Sequence, residues 1–308
     1  MGVILNPLYT AVSWILVEFH SLLGLIFGKH SHESAKWVIS IVLLTVLLRT
    51  LMIPLFVKQI KAQRAMTALS PHIKEIQKKY KDDRQKQSEE MMKLYKEHKT
   101  NPFSSCLPIL IQSPFFYALY RILYGVYKNK PYGLVKGDLL NSAHTASFFG
   151  AKISDTFVSA HGDTKARVIA LAMIVLMSLS QFITQRQLMV KGMPKLDTSN
   201  NMMLQQQKMM MYIFPVIFLL MGINMPIGVL IYWLTTNLWT FGQQMYVIKR
   251  NPTPGSPAFE ELEKKKALKN KVTNNVIENN NSESELNPNQ IEKKGQRFQP
   301  QRNRKKKN

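Results

Sequence analysis

The sequence predicts an all-α polytopic membrane protein: a five-helix transmembrane bundle with a cytoplasmic helical hairpin and an N-terminal amphipathic helix. Three observations predict it. Apolar runs of about 20 residues, the length that crosses the hydrocarbon core of a bilayer, alternate with polar, basic stretches. The 41 Lys and Arg residues, which give a net charge of +22, are concentrated in some of those stretches and sparse in others. One cysteine, Cys106, rules out a disulfide-stapled framework.

The elements follow in order. Residues 1–35 contain an apolar run, Val3 to Phe27, in which Asn6, Thr10, Ser13, Glu18, Ser21 and Gly24 form a polar stripe at helical spacing. Such a helix lies on the membrane surface, although the run is also long enough to be a sixth span. The stretch has no basic region ahead of its apolar run and no A-x-A cleavage pattern, so no cleaved signal peptide is expected. The first core span occupies 36–57. Residues 58–101 carry Ile60, Met66, Leu69, Ile73, Ile76 and Tyr80 on one helical face. Met91, Leu94 and Tyr95 follow on a second helix, with a turn expected near Asp82-Asp83; together they form a charged hairpin. The remaining four spans lie within 102–250, at roughly 104–127, 168–189, 209–225 and 227–248, with an extracytoplasmic loop at 128–165. Residues 251–308 are rich in Pro, Asn, Lys and Glu and are expected to be a disordered basic tail.

Charge orients these spans. Residues 58–101 hold 12 basic and 6 acidic side chains, the segment from 249 holds 15 and 7, and the 128–165 loop holds 5 and 3. The hairpin and the tail are therefore expected in the cytoplasm and the loop outside, which five spans with an external N-terminus satisfy. The setting is a cell membrane crossed several times.

Arg49 stands inside the first span, and no Asp or Glu lies in any of the five apolar runs. A charge at that depth costs from about 3 to more than 10 kcal/mol unless it faces a cavity or a partner. Matching polar faces exist. Ser178, Gln181 and Gln185 recur on the third span with Thr184 beside them. Trp233, Asn237, Thr240 and Gln244 recur on the fifth, widened by Thr236 and Gln243. Gln112 and Ser113 adjoin Pro114 on the second. Ordinary interhelical hydrogen bonding explains any one of these residues. Three such faces beside an unpaired arginine point to one wet groove.

The seventeen methionines suit promiscuous apolar contacts and equally suit filling a membrane core. No H-E-x-x-H, G-x-S-x-G or phosphate-loop motif occurs, and all seven histidines lie outside the five runs. The expectation is a protein that is not an enzyme, with no catalytic residue, metal site or cofactor. Two alternatives from other classes are a secondary transporter or channel that binds a small anion at Arg49, and a scaffold that tethers ribosomes by its tail. The uneven span spacing shows none of the repeats common in transporters.

The segments LLRTLMIPLFVKQIKAQRAM, NPFSSCLPILIQSPFFYALYRIL and FPVIFLLMGINMPIGVLIYWLTTNLWTFGQQ, separated by the charged helical pair, resemble the YidC/Oxa family of membrane protein insertases over residues 7–250. The chain looks like the compact, five-span bacterial branch, with Ser105 where relatives often have Gly. The resemblance implies a positively charged, water-accessible groove open to cytoplasm and lipid. Its arginine maps to Arg49, its third-span polar position to Gln181, Thr184 or Gln185, and its aromatic position to Trp233; Asn237 and Gln112 complete the expected lining. The implied partners are nascent membrane proteins and the lipid bilayer, then the Sec translocon, the signal recognition particle receptor and the ribosome. The ribosome would be met by the basic stretch Lys293 to Lys307. DNA is not among them.

Overall fold

Trp37, Ile41, Leu44 and Leu48 fall at i, i+4, i+7 and i+11, one stripe of a helix, and all four are buried. In the computed structural model, which describes residues 2–28, 31–101, 107–160, 162–192 and 202–285, they lie on α2 (Glu33–Leu51). The run expected as one span divides at Met52. A second helix, α3 (Ile53–Ala68), starts there, with Pro54 in its first turn, where a missing N–H is tolerated. Ser40 and Thr45 turn their hydroxyls onto the Lys36 and Ile41 carbonyls of the helix itself, at 2.6 and 2.7 Å.

Four further helices complete the bundle. α6 (Leu107–Tyr127) and α8 (Thr164–Gln187) come first, the latter capped by the Asp163 carboxylate, which accepts from the Ala166 N–H at 3.0 Å. A wider π turn, Leu188–Gly192, extends α8. α9 (Met202–Gly222) and α10 (Ile227–Arg250) follow, joined by a short link. α10 packs between α2 and α8, with α9 against α8. Ile41, Leu44, Leu119, Ile122, Ile174, Met177 and Leu230 fill the shared core. Leu171, Val175 and Leu179 of α8, spaced four apart, stay exposed, as do Ile213, Val216 and Leu220 of α9. Apolar stripes turned away from the core are what a lipid-facing helix presents. Length and composition alone qualify Asn6–Phe27, Glu33–Leu51 and Thr164–Gly192 as membrane-crossing.

One end of the bundle is closed by the segment between α6 and α8. It forms α7 (Asp138–Thr145) and a two-residue antiparallel pair, β1 (Ser147–Phe148) with β2 (Ala151–Lys152). The Ile153 and Asp155 carbonyls accept from the Gly228 and Ile227 N–H groups at 2.7 and 2.9 Å. They satisfy two of the donors that the start of α10 leaves open.

α1 (Gly2–Phe27) docks at this same end. Its Ser13 hydroxyl accepts from the Leu134 N–H at 2.9 Å, and its His20 ring lies 4.5 Å from that of Trp37. Ser13, placed on the polar stripe by the sequence, is fully buried, whereas Asn6, Thr10, Glu18 and Ser21 are exposed. Glu33 ties three helices together. Its carboxylate accepts from Lys36 Nζ at 2.5 Å, Ser142 Oγ at 2.6 Å and His20 Nε2 at 3.0 Å. Trp37 Nε1 donates to the same Ser142 oxygen at 2.9 Å.

Beyond α3 come α4 (Ser70–Lys79) and α5 (Arg84–Glu97), antiparallel around a turn at 80–83. Asp83 caps α5 by accepting from the Lys86 N–H at 3.0 Å, and the His72 and His98 rings stack 6.2 Å apart. Residues 260–308 are a separate unit. Disorder is expected from 251 onward, but the structure holds Pro257–Glu285 as a helix, α11. The reason is local: Glu, Lys, Ala and Leu dominate its first half and are strong helix formers. The basic stretch Lys293 to Lys307, like Ser105 and Cys106, lies outside the described residues.

Candidate functional site: a polar groove around Arg49

Arg49 sits in the last turn of α2, one residue short of Thr50 and three short of the Met52 joint. Arg49, Met52, Leu55, Phe56 and Gln243 line a small cavity of about 20 Å³, room for a single water. No carboxylate pairs with Arg49 among the described residues, and its buried Nε has no hydrogen-bond partner there. Its electrostatic neighbour is the Tyr232 hydroxyl of α10. Gln112 of α6 donates its side-chain amide to that hydroxyl, and Thr236 stands one turn further along α10 beside it. α2, α6 and α10 thus converge on one polar locus.

Several buried polar atoms of the bundle have no protein partner among the described residues: Gln112 Oε1 at this locus, and Ser178 Oγ, Trp239 Nε1 and Gln244 Oε1 on α8 and α10. Leaving such an atom dry costs roughly 1–3 kcal/mol each. A set of them spread over α6, α8 and α10 calls for water or a polar ligand within the bundle.

The expected lining residues divide. Gln112 reaches the locus through Tyr232. Trp233 is part of an aromatic stack instead, edge-on to Phe218 at 4.5 Å and to Phe116 at 5.1 Å, which joins α6, α9 and α10. Asn237 points at α8: its amide donates to the Met177 carbonyl at 3.3 Å and to Ser180 Oγ at 3.2 Å, and it is 5% exposed. Thr184 is buried and returns its hydroxyl to the Ser180 carbonyl at 2.7 Å. Gln181 and Gln185 are half-buried on α8.

The face of α10 toward Arg49 therefore carries Tyr232, Thr236 and Gln243, with Trp239 at the same helical register, one residue out of phase with the stripe Trp233, Asn237, Thr240 and Gln244. Tyr232 and Trp239 escape the sequence reading because their polar atoms sit on largely apolar rings. The signal that finds them is their spacing of i, i+4, i+7 and i+11 with Thr236 and Gln243.

Known proteins resemble this chain in sequence. The family model described as 60Kd inner membrane protein matches residues 28–254. A protein of Streptomyces avermitilis named membrane protein insertase YidC is 55% identical over 265 residues, covering 82% of this chain and 61% of that protein. The protein of the same name from Tropheryma whipplei is 34% identical over 285 residues, covering 88% of this chain and 91% of its own length. The chain thus spans less than two thirds of the Streptomyces relative and nearly all of the Tropheryma one. A crystal structure of an active YidC insertase covers 74% of this chain and 45% of its own, at 25% identity and a TM-score of 0.47. The anion-transporter alternative has no support among these relatives. The chain belongs to the 60Kd inner membrane protein family, the YidC/Oxa family of membrane protein insertases, and is a multi-pass protein of the bacterial inner membrane.

Proposed function

We propose that this chain inserts nascent membrane proteins into the bilayer through the polar groove around Arg49, alone or beside the Sec translocon. One observation carries the reading: a half-buried arginine whose buried Nε has no partner and which has no carboxylate partner among the described residues, beside the Tyr232 hydroxyl and Gln243. A site built that way is matched by an acidic or polar segment that arrives from outside. A short translocated segment carrying Asp or Glu enters the groove, and Arg49 attracts it more strongly than it would in water because the surroundings are poorly polarisable. The groove shortens the apolar barrier. The flanking helix of the substrate moves into lipid along α6 and α9, driven by apolar burial. The chain makes and breaks no bond in this cycle.

The orientation rests on the loop charges. The α4–α5 hairpin and the segment from 251 face the cytoplasm, and residues 128–165 face outward. α1 then lies on the outer surface, since Ser13 and His20 hold it to Leu134 and Glu33 at that end. The hairpin receives substrate or meets the signal recognition particle receptor. The basic stretch Lys293 to Lys307 meets the ribosome through phosphate attraction.

The test is insertion into liposomes of a small radiolabelled substrate with an acidic translocated segment, scored by protease protection. Wild type should protect it and Arg49→Ala should not, while a substrate with an apolar translocated segment is spared. Equal loss for both substrates would sink the electrostatic role.

A further inference from the structure

At the end of α6 nearest α7, a second arginine lies in the apolar part of the chain. Arg121 is followed on one face of the helix by Tyr124 and Lys128 and preceded by Tyr117, at i, i+4, i+7 and i+11 counted from Tyr117. It stands six residues before the helix end, about 9 Å in depth. Arg121 Nη2 donates to the Tyr132 hydroxyl at 2.6 Å, and the guanidinium lies 4.9 Å from that ring. Its buried Nε has no partner among the described residues. Lys128 Nζ lies 4.8 Å from the Tyr127 ring and 5.7 Å from that of Tyr124. Neither Arg121, Lys128 nor Lys130 makes an ion pair among the described residues. Tyr9 of α1 closes the cluster, its ring 6.3 Å from that of Tyr117.

The backbone is shaped to hold this arrangement. After α6 the chain turns back, with the Lys130 N–H on the Gly125 carbonyl at 2.8 Å. A Cβ on Gly125 would lie 2.3 Å from Tyr132 Cδ2 and 2.8 Å from the Lys130 carbonyl, so only glycine lets Tyr132 lie over α6 beside Arg121. The result is an arginine and a lysine, both free of carboxylates among the described residues, framed by five tyrosines at the end of a span. Tyrosine rings and long cations at that depth match the interfacial zone of a bilayer. The ligand that brings negative charge and hydrogen-bond acceptors to that zone is a lipid phosphate.

We infer that Arg121 and Lys128, held by Tyr132 and Gly125, bind the headgroup phosphate of an anionic phospholipid in the leaflet at the α7 end of the bundle. This site is separate from the Arg49 groove and does not depend on the insertase reading.

The test is native mass spectrometry of the full chain released from nanodiscs of equal phosphatidylglycerol and phosphatidylcholine, counting retained lipids. Wild type should retain phosphatidylglycerol in preference. Arg121→Gln should reduce that preference about fivefold, and Arg121→Lys should keep most of it. Lys128→Gln, an exposed change that leaves the core intact, should lower it by a smaller factor and serves if Arg121→Gln fails to fold by circular dichroism. Equal retention of both lipids by wild type overturns the site, as does unchanged preference in Arg121→Gln or, where that variant is unfolded, in Lys128→Gln. Displacement of the lipid by millimolar inorganic phosphate would make it a free-anion site instead.

Discussion

The Asn237 side-chain amide donates to Ser180 Oγ at 3.2 Å across the α8–α10 contact. It pegs Asn237 to α8, and in the same rotation of α10 Tyr232 and Gln243 face Arg49. A residue expected from the sequence to line the groove is thus a peg between α8 and α10.

The first expectation follows from that rotation. In a Cys106→Ser background, a cysteine replacing Gln243 should react with a polar thiol reagent supplied in water, whereas one replacing Asn237 should stay protected. Reaction at both positions, or at 237 alone, would mean that α10 is turned the other way.

Asn237→Ala removes two hydrogen bonds of one buried amide. Within a membrane bundle each is worth about 0.6–2 kcal/mol. The apparent melting temperature in detergent should drop by several degrees, and cysteine labelling at 243 should become less selective as α10 loosens. An unchanged melting profile would remove the peg role.

Glu33 holds Lys36, which is 1% exposed, together with His20 and Ser142. Glu33→Gln leaves the buried ammonium facing a neutral amide, at a cost on the order of 3 kcal/mol. The double variant Glu33→Gln with Lys36→Met removes both charges and should recover part of that loss. Limited proteolysis of α1 reads out the same event, because His20 loses its anchor along with Lys36. A double variant less stable than the single one would contradict the ion-pair account.

Asp155 lies in the closing segment, outside the spans, and burial pushes its carboxyl above the ordinary range despite the Lys152 charge nearby. An acid with a raised folded value is favoured in its protonated form by the native state. Its ionised form therefore costs stability above that value, and the cost fades as pH falls below the unfolded value of about 3.9. Asp155→Asn should raise the melting temperature at pH 7, by an amount that shrinks as pH approaches 4. A gain that is constant across this range would point to packing rather than ionisation.

The amino-acid sequence by itself determined the all-α membrane class, the run around Arg49 that lacks any carboxylate, the turn near Asp82-Asp83 and the family resemblance. Each depends on composition or local period: about 20 apolar residues, a charge count, a break near Asp82-Asp83, a set of motif segments. Only the tertiary structure decided which polar residues meet Arg49. Successive helix positions differ by about 100° of rotation, so Tyr232 and Trp233, or Thr236 and Asn237, share a stretch of sequence and face different neighbours. Which of them is wet depends on where α2 and α8 lie, and that is set by packing of Ile41, Leu44, Ile174 and Met177, residues far apart in the chain. The division of the first span at Met52 is local instead: Pro54 lacks the N–H that would continue the helix ladder past Met52. The helix at Pro257–Glu285 was written in local propensity and was outweighed in the sequence reading by the low apolar content of the whole tail, because few apolar residues exclude a packed core without excluding a helix.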